Sequence, residues 1–379
     1  MIDQELIYRV TPQILKLQSE SRDPITVFID SRGGAVEYKN SLYRLLTTSN
    51  QDCDDPCVVI TVALSLAASA AADLLSSGFY ALAYPDSLIM YHGVRTAPPS
   101  PQTAEQTYRL AQDLRQGNES YAVQLARDTE ERFFFRFMSL YELLPAARTN
   151  TVTGGDTDLD AFLTLLVRRT SPIASGILKK AYDRYRRYAA LIECVIKKWK
   201  SGKANKTFVQ MEVDQIKAIV DFEVRKNKKK EKWKFETEGI HTLSDDFFLV
   251  NQFIGFFEGE VFERLVLRWG RFLLSANEIA ELDKSPDPAE RAKKLIDTVG
   301  PRLHPVFSYF MALCHILQLG ENYLTARDAF WLGLIDEVIG VNELPTYRLF
   351  VEHAQDVEQE EKNEQTAVGE STQAAGAEA

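Results

Sequence analysis

The chain has 379 residues, 45% of them hydrophobic and 26% charged, with a formal net charge of −10. That content is enough to bury one large core or two ordinary ones, with two or three domains as the expectation from length. The acidic balance disfavours nucleic acid as an overall partner. Of the four cysteines, Cys53 and Cys57 are spaced C-x-x-x-C without a matching histidine pair, which is neither a common zinc spacing nor the framework of a secreted domain. Met1-Ile2-Asp3-Gln4-Glu5 shows no basic n-region or apolar h-region, and no uncharged apolar run is long enough to cross a bilayer. A reduced, cytoplasmic protein is expected, with no metal or organic cofactor.

From the start of the chain, residues 4–17 carry a helical period, and Ile25-Thr26-Val27-Phe28-Ile29 predicts a buried strand. The strand runs into Asp30-Ser31-Arg32-Gly33-Gly34, where residues without Cβ let backbone N–H groups face a ligand. A helix is predicted over 37–46 and a strand over 58–64, leading into a helix that carries Ser69 within Ala67-Ala68-Ser69-Ala70. Leu88-Ile89-Met90-Tyr91-His92 is an apolar strand ending in histidine. Such alternation implies a mostly parallel sheet covered by helices. A serine hydroxyl is a poor nucleophile until an imidazole takes its proton, and the oxyanion that follows needs pre-aimed N–H donors. Ser69, His92 and the glycine turn therefore suffice for acyl transfer.

Beyond the histidine, residues 103–127 read as a long polar helix, and residues from about 136 to 317 as a segment of helical periodicity entered through the loop 149–156. Its first part, 179–234, is basic, with Tyr182, Tyr185, Tyr188, Leu191, Ile192, Val195, Ile196 and Trp199 at helical spacing, a stripe that packs most simply as core. The clusters at 197–200 and 225–234 interleave lysine with tryptophan. Several lysines together could contact nucleic acid or anionic lipid by releasing counterions, but a solvated helix face is the simpler reading. Residues 247–274 are apolar, interrupted by Glu258, Glu260, Glu263 and Arg264, and predict a buried or interface helix. The acidic stretch 354–379 is too poor in large apolar residues to build a core.

Three blocks, in this order and spacing, resemble the proteolytic subunit of the Clp protease, within the Clp protease/crotonase superfamily. They are Phe28 to Gly34, Ala67 to Ser69 continued by Leu74-Leu75-Ser76-Ser77-Gly78, and Tyr84 to His92. A fourth, Tyr323-Leu324-Thr325-Ala326 through Gly333 to Val338, is similar to the family's last helix and strand. The resemblance implies an α/β fold, a Clp protease/crotonase-like βαβ superhelical core with an inserted all-helical domain. The core would occupy residues 1–135 and 318–353, the insertion 136–317, and a disordered acidic tail 354–379. It further implies a serine-type endopeptidase with Ser69 as nucleophile, His92 as general base, and the N–H groups of Gly34 and Ala70 as oxyanion hole.

The sequence also departs from the family. Arg32 replaces the turn proline, Ser65 stands where glycine is usual, and the glycine-rich strand after the histidine becomes Gly93 to Pro101 with three prolines. Proline cannot donate to a ladder, so docking of substrate by strand addition is not expected there. The orienting carboxylate should precede Tyr323, and only Glu321 is available, out of its matching place. The expected partners are a peptide or unfolded protein substrate and further copies of the chain. Met1 falls beyond the axial loop and first strand by which the family touches its ATP-dependent unfoldase, so that partner is expected less. Two alternatives remain: a catalytically inactive, partner-binding scaffold, and a coenzyme A enzyme of crotonase type that would use the same oxyanion turns.

Overall fold

A computed structural model describes residues 1–21, 23–48, 57–96, 103–147, 157–201 and 260–345. Cys53, the loop 149–156, the basic run 225–234, the apolar residues 247–259 and the tail 354–379 lie outside the described residues, as do the side chains of 187–201.

The described elements, in chain order, begin with helix α1 (Gln4–Glu20), strand β1 (Ile25–Ser31), helix α2 (Val36–Thr47), strand β2 (Val59–Ala68) and helix α3 (Ala70–Ser77). Strands β3 (Tyr80–Ala83) and β4 (Leu88–His92) follow, then the long helix α4 (Ala104–Ser139). Next come helices α5 (Leu144–Ala147), α6 (Asp158–Arg169), α7 (Pro172–Ser201), α8 (Glu260–Trp269), α9 (Ala276–Asp283) and α10 (Pro288–Leu317). The last are strand β5 (Glu321–Thr325), helix α11 (Ala326–Trp331) and strand β6 (Glu337–Val338). No described helix is long and apolar enough to cross a membrane.

The six strands form one sheet, in the order β5-β4-β2-β3-β6 with β1 also paired to β2, parallel throughout except for β4 against β5. Alternation sorts the side chains. Ile29, Val59, Ala81, Ile89, Tyr91 and Leu324 turn inward and are buried, whereas Phe28, Leu64, Leu88 and Tyr323 are exposed. Helices therefore cover one face of the sheet, and the other leaves Phe28, Leu64, Leu88 and Tyr323 exposed.

The helical segment and the sheet share a single buried cluster. Its centre is the aromatic run of α4, where Phe133 stacks on Phe310 of α10 with ring centroids 4.5 Å apart and meets Phe162 of α6 edge to face at 5.7 Å. Arg136, wholly buried, donates to the backbone carbonyls of Phe330, Ile335 and Asp336, and burial pushes its guanidinium down to about 9. Ser171, between α6 and α7, binds both carboxylate oxygens of Asp328 in α11. The apolar reading of 247–274 holds for its described part: Leu265, Val266, Trp269 and Leu273 are buried. Tyr182 and Tyr185, the described part of the aromatic stripe, pack against the core.

Candidate active site

β2 ends at Ala68 and α3 begins at Ala70, so Ser69 sits on the tight turn between them. Its backbone adopts φ 58°, ψ −132°, and it is the one non-glycine residue with positive φ among the described residues. An L-residue in that region is strained, and the surroundings must hold it there. Ser69 N–H donates to Met90 O at 2.7 Å, which ties the turn to β4. Its hydroxyl makes no capping bond to α3, so the side chain is not spent on the helix end. Ala70 occupies the first turn of α3, where N–H groups lack intrahelical acceptors and the helix dipole favours negative charge.

The glycine turn closes on this elbow. Gly33 has φ +94°, and a Cβ there would lie 2.5 Å from Ala68 O and 2.7 Å from Ser69 Cβ. Only glycine permits both the backbone angle and the approach. Gly34 is gripped from the opposite side, since Ile2 N–H donates to Gly33 O at 2.9 Å and Ala35 N–H to Ile2 O at 3.0 Å. Ser31 Oγ accepts from Gly33 N–H at 3.1 Å. The two turns that carry the Gly34 and Ala70 N–H groups are thus brought together, with the Ala70 nitrogen 3.1 Å from where a Gly33 Cβ would stand.

His92 closes β4. Its Nδ1–H donates to Gly93 O at 2.5 Å, an arrangement that leaves Nε2 as the acceptor. No hydrogen bond joins His92 to Ser69 among those of the described residues. The chain beyond is held by α4, because Val94 N–H donates to Asn118 Oδ1 at 2.6 Å and is spent.

Glu321 is the direct cross-strand partner of His92 in the antiparallel ladder. It is exposed, however, and accepts from Arg95 Nη2 at 2.5 Å; that bond holds its carboxyl below the usual range. Ser65, in place of the family's glycine, donates to Asp30 at 2.7 Å.

Sequence reasoning missed three polar groups beneath the elbow: Lys39, Asp73 and Gln318. Asp73 lies one helical turn from Ser69 in α3, and its Oδ1 accepts from Gln318 Nε2 at 3.3 Å. Burial pushes the Asp73 carboxyl up to about 6, opposed by Lys39, by the Gln318 bond and by His92. Lys39 is 2% exposed on the inward face of α2, in line with Leu42 and Leu46. Two of them carried a visible signal: Lys39, a charge on an otherwise apolar helical stripe, and Asp73, a carboxylate inside Ala70-Ala71-Ala72-Asp73-Leu74-Leu75; Gln318 carried none.

The sequence model of the Clp protease family matches residues 1–130. That span holds the glycine turn, Ser69 and His92, and this part of the chain is Clp protease-like. Glu321 and Gln318 lie beyond it. None of the curated proteins matches the chain.

Proposed function

We propose that the chain is a serine-type endopeptidase. Ser69 Oγ attacks a peptide carbonyl, His92 Nε2 accepts the hydroxyl proton and returns it to the departing amine, and the N–H groups of Gly34 and Ala70 donate to the oxyanion. Water, deprotonated by the same imidazole, then releases the acyl group from Ser69. The observation that carries this reading is the elbow: a strained serine between strand and helix, its hydroxyl free of capping, pressed against a glycine turn. Strain of that kind persists where function requires a side chain in one place. Members of the Clp protease family act on protein substrates and oligomerise. Self-association through the open sheet face, where Phe28 is 62% and Leu64 41% exposed, follows from the same reading.

A second reading is a scaffold with a silent site. It is favoured by two observations, the missing Ser69–His92 bond and the engagement of Val94 N–H by Asn118 rather than by a substrate strand. Incubation of the self-associated protein with an unfolded protein substrate separates the two. Cleavage that Ser69→Ala abolishes is the expected result, whereas equal cleavage by both proteins, or none by either, favours the scaffold.

A further inference from the structure

Resting on the proposed Ser69–His92 chemistry, we infer that Asp73 is the carboxylate that serves His92, acting from the nucleophile's own helix rather than from the strand edge. Asp73 N–H donates to Ser69 O at 3.2 Å, so the side chain lies one turn below the elbow. Gln318 connects it to the histidine strand: its Nε2 donates to Asp73, and its own carbonyl oxygen sits 2.7 Å from where a Gly93 Cβ would be, against the residue that accepts from His92 Nδ1. Strand β4 is fastened to α3 as well, through Tyr91 OH, which shares a 2.5 Å bond with Ser76 Oγ and donates to Ala72 O at 3.3 Å. The groups that interact with the carboxylate are Lys39 from α2, Asp128 and Tyr121 from α4, Tyr91 and His92 from β4, and Gln318 after α10.

The sign of the interaction suits the reaction. When His92 takes the Ser69 proton it becomes a cation in a partly enclosed site, and a negative charge nearby stabilises it. Glu321 is a poorer source, because Arg95 already neutralises it at the surface. The structure contains no direct hydrogen bond between Asp73 and His92, so the effect acts through space. It is therefore smaller than that of a carboxylate bonded to the imidazole.

The test uses full-length Asp73→Asn and two readouts. The His92 ring titration, followed by NMR, should move to lower pH than in the unmodified chain, because a nearby negative charge is removed. Fluorophosphonate labelling of Ser69 at neutral pH should slow about tenfold. Gln318→Ala, which only unties the carboxylate, should shift both in the same direction by less. A His92 midpoint unmoved in Asp73→Asn overturns the inference, and so does a shift in Gln318→Ala alone. If the unmodified protein does not label at all, the proposed peptidase fails while the NMR readout still decides the role of Asp73.

Discussion

The sheet end and the helical layer are built to different tolerances. At the sheet end, two turns and the N-terminal segment meet within bonding distance, and individual backbone angles matter: Ser69 at φ 58°, Gly33 at φ +94°, and Ile2 bonded on both sides of Gly34. In the helical layer the contacts are rings on rings, Phe133 with Phe310 and Phe162, and Phe134 with Phe307 at 5.7 Å. A close-packed core of that kind constrains volume, and many apolar combinations satisfy it. The proposed chemistry belongs to the first region and the buried ring contacts to the second, so substitutions should separate activity from stability.

The largest separation is expected from His92→Ala, which should cut the rate of fluorophosphonate labelling by several orders of magnitude, as loss of a general base does in related machinery, without shifting the thermal midpoint appreciably. An unchanged rate would assign the base elsewhere. Phe310→Ala should do the reverse. Removing a wholly buried ring that stacks on Phe133 should cost about 3–5 kcal/mol in denaturant unfolding, with normal labelling per folded molecule. A labelling defect in the folded protein would mean that the helical layer positions the site after all.

Gly33→Ala sharpens the comparison because it strikes the shared geometry of the turns. Its Cβ would collide with Ala68 O and Ser69 Cβ, so labelling should fall by about two orders of magnitude, with a stability loss of about 1–3 kcal/mol. A smaller effect follows from burial of Asp73. Its folded-state value of about 6 lies above that of an unfolded aspartate, so the native state binds more protons, and its contribution to stability falls as pH rises from about 4 through about 6. Asp73→Asn should remove that decline and raise stability at pH 8 by about 2 kcal/mol, measured by urea unfolding at several pH values. The smallest effect is expected for Glu321→Gln, with labelling changed less than about threefold, since Arg95 already compensates that charge at the surface.

Much of the site-bearing region was legible in the sequence. The strand before the glycine turn, the turn itself and the strand ending at His92 are local patterns, and local backbone rules fix them. Two expectations differ from the structure. The sequence predicts Ser69 on the helix, but it stands on the turn before α3; it predicts β1 as buried, but β1 buries only Ile29, because one face of the sheet is left exposed. The predicted strand over 58–64 proved longer, because β2 pairs β1 and β3 through its first half and β4 through its second, and only the assembled sheet supplies those partners. The Asp73–Gln318 bond spans 245 residues, a separation no local period reports. The same holds for Arg136, whose acceptors lie some 200 residues away in the last helix and strand. Helical periodicity announced the existence of α6, α7 and α10, yet not that their rings would join α4 in one core, since amphipathic faces do not name their partners.

The central claim is that the elbow presents an activated serine. It is tested most directly by treating the full-length protein with a fluorophosphonate and locating the adduct by peptide mass spectrometry. A single adduct on Ser69, absent from Ser69→Ala, is the predicted result. An adduct on another residue, or an unmodified Ser69 under conditions that label other serine hydrolases, would contradict it.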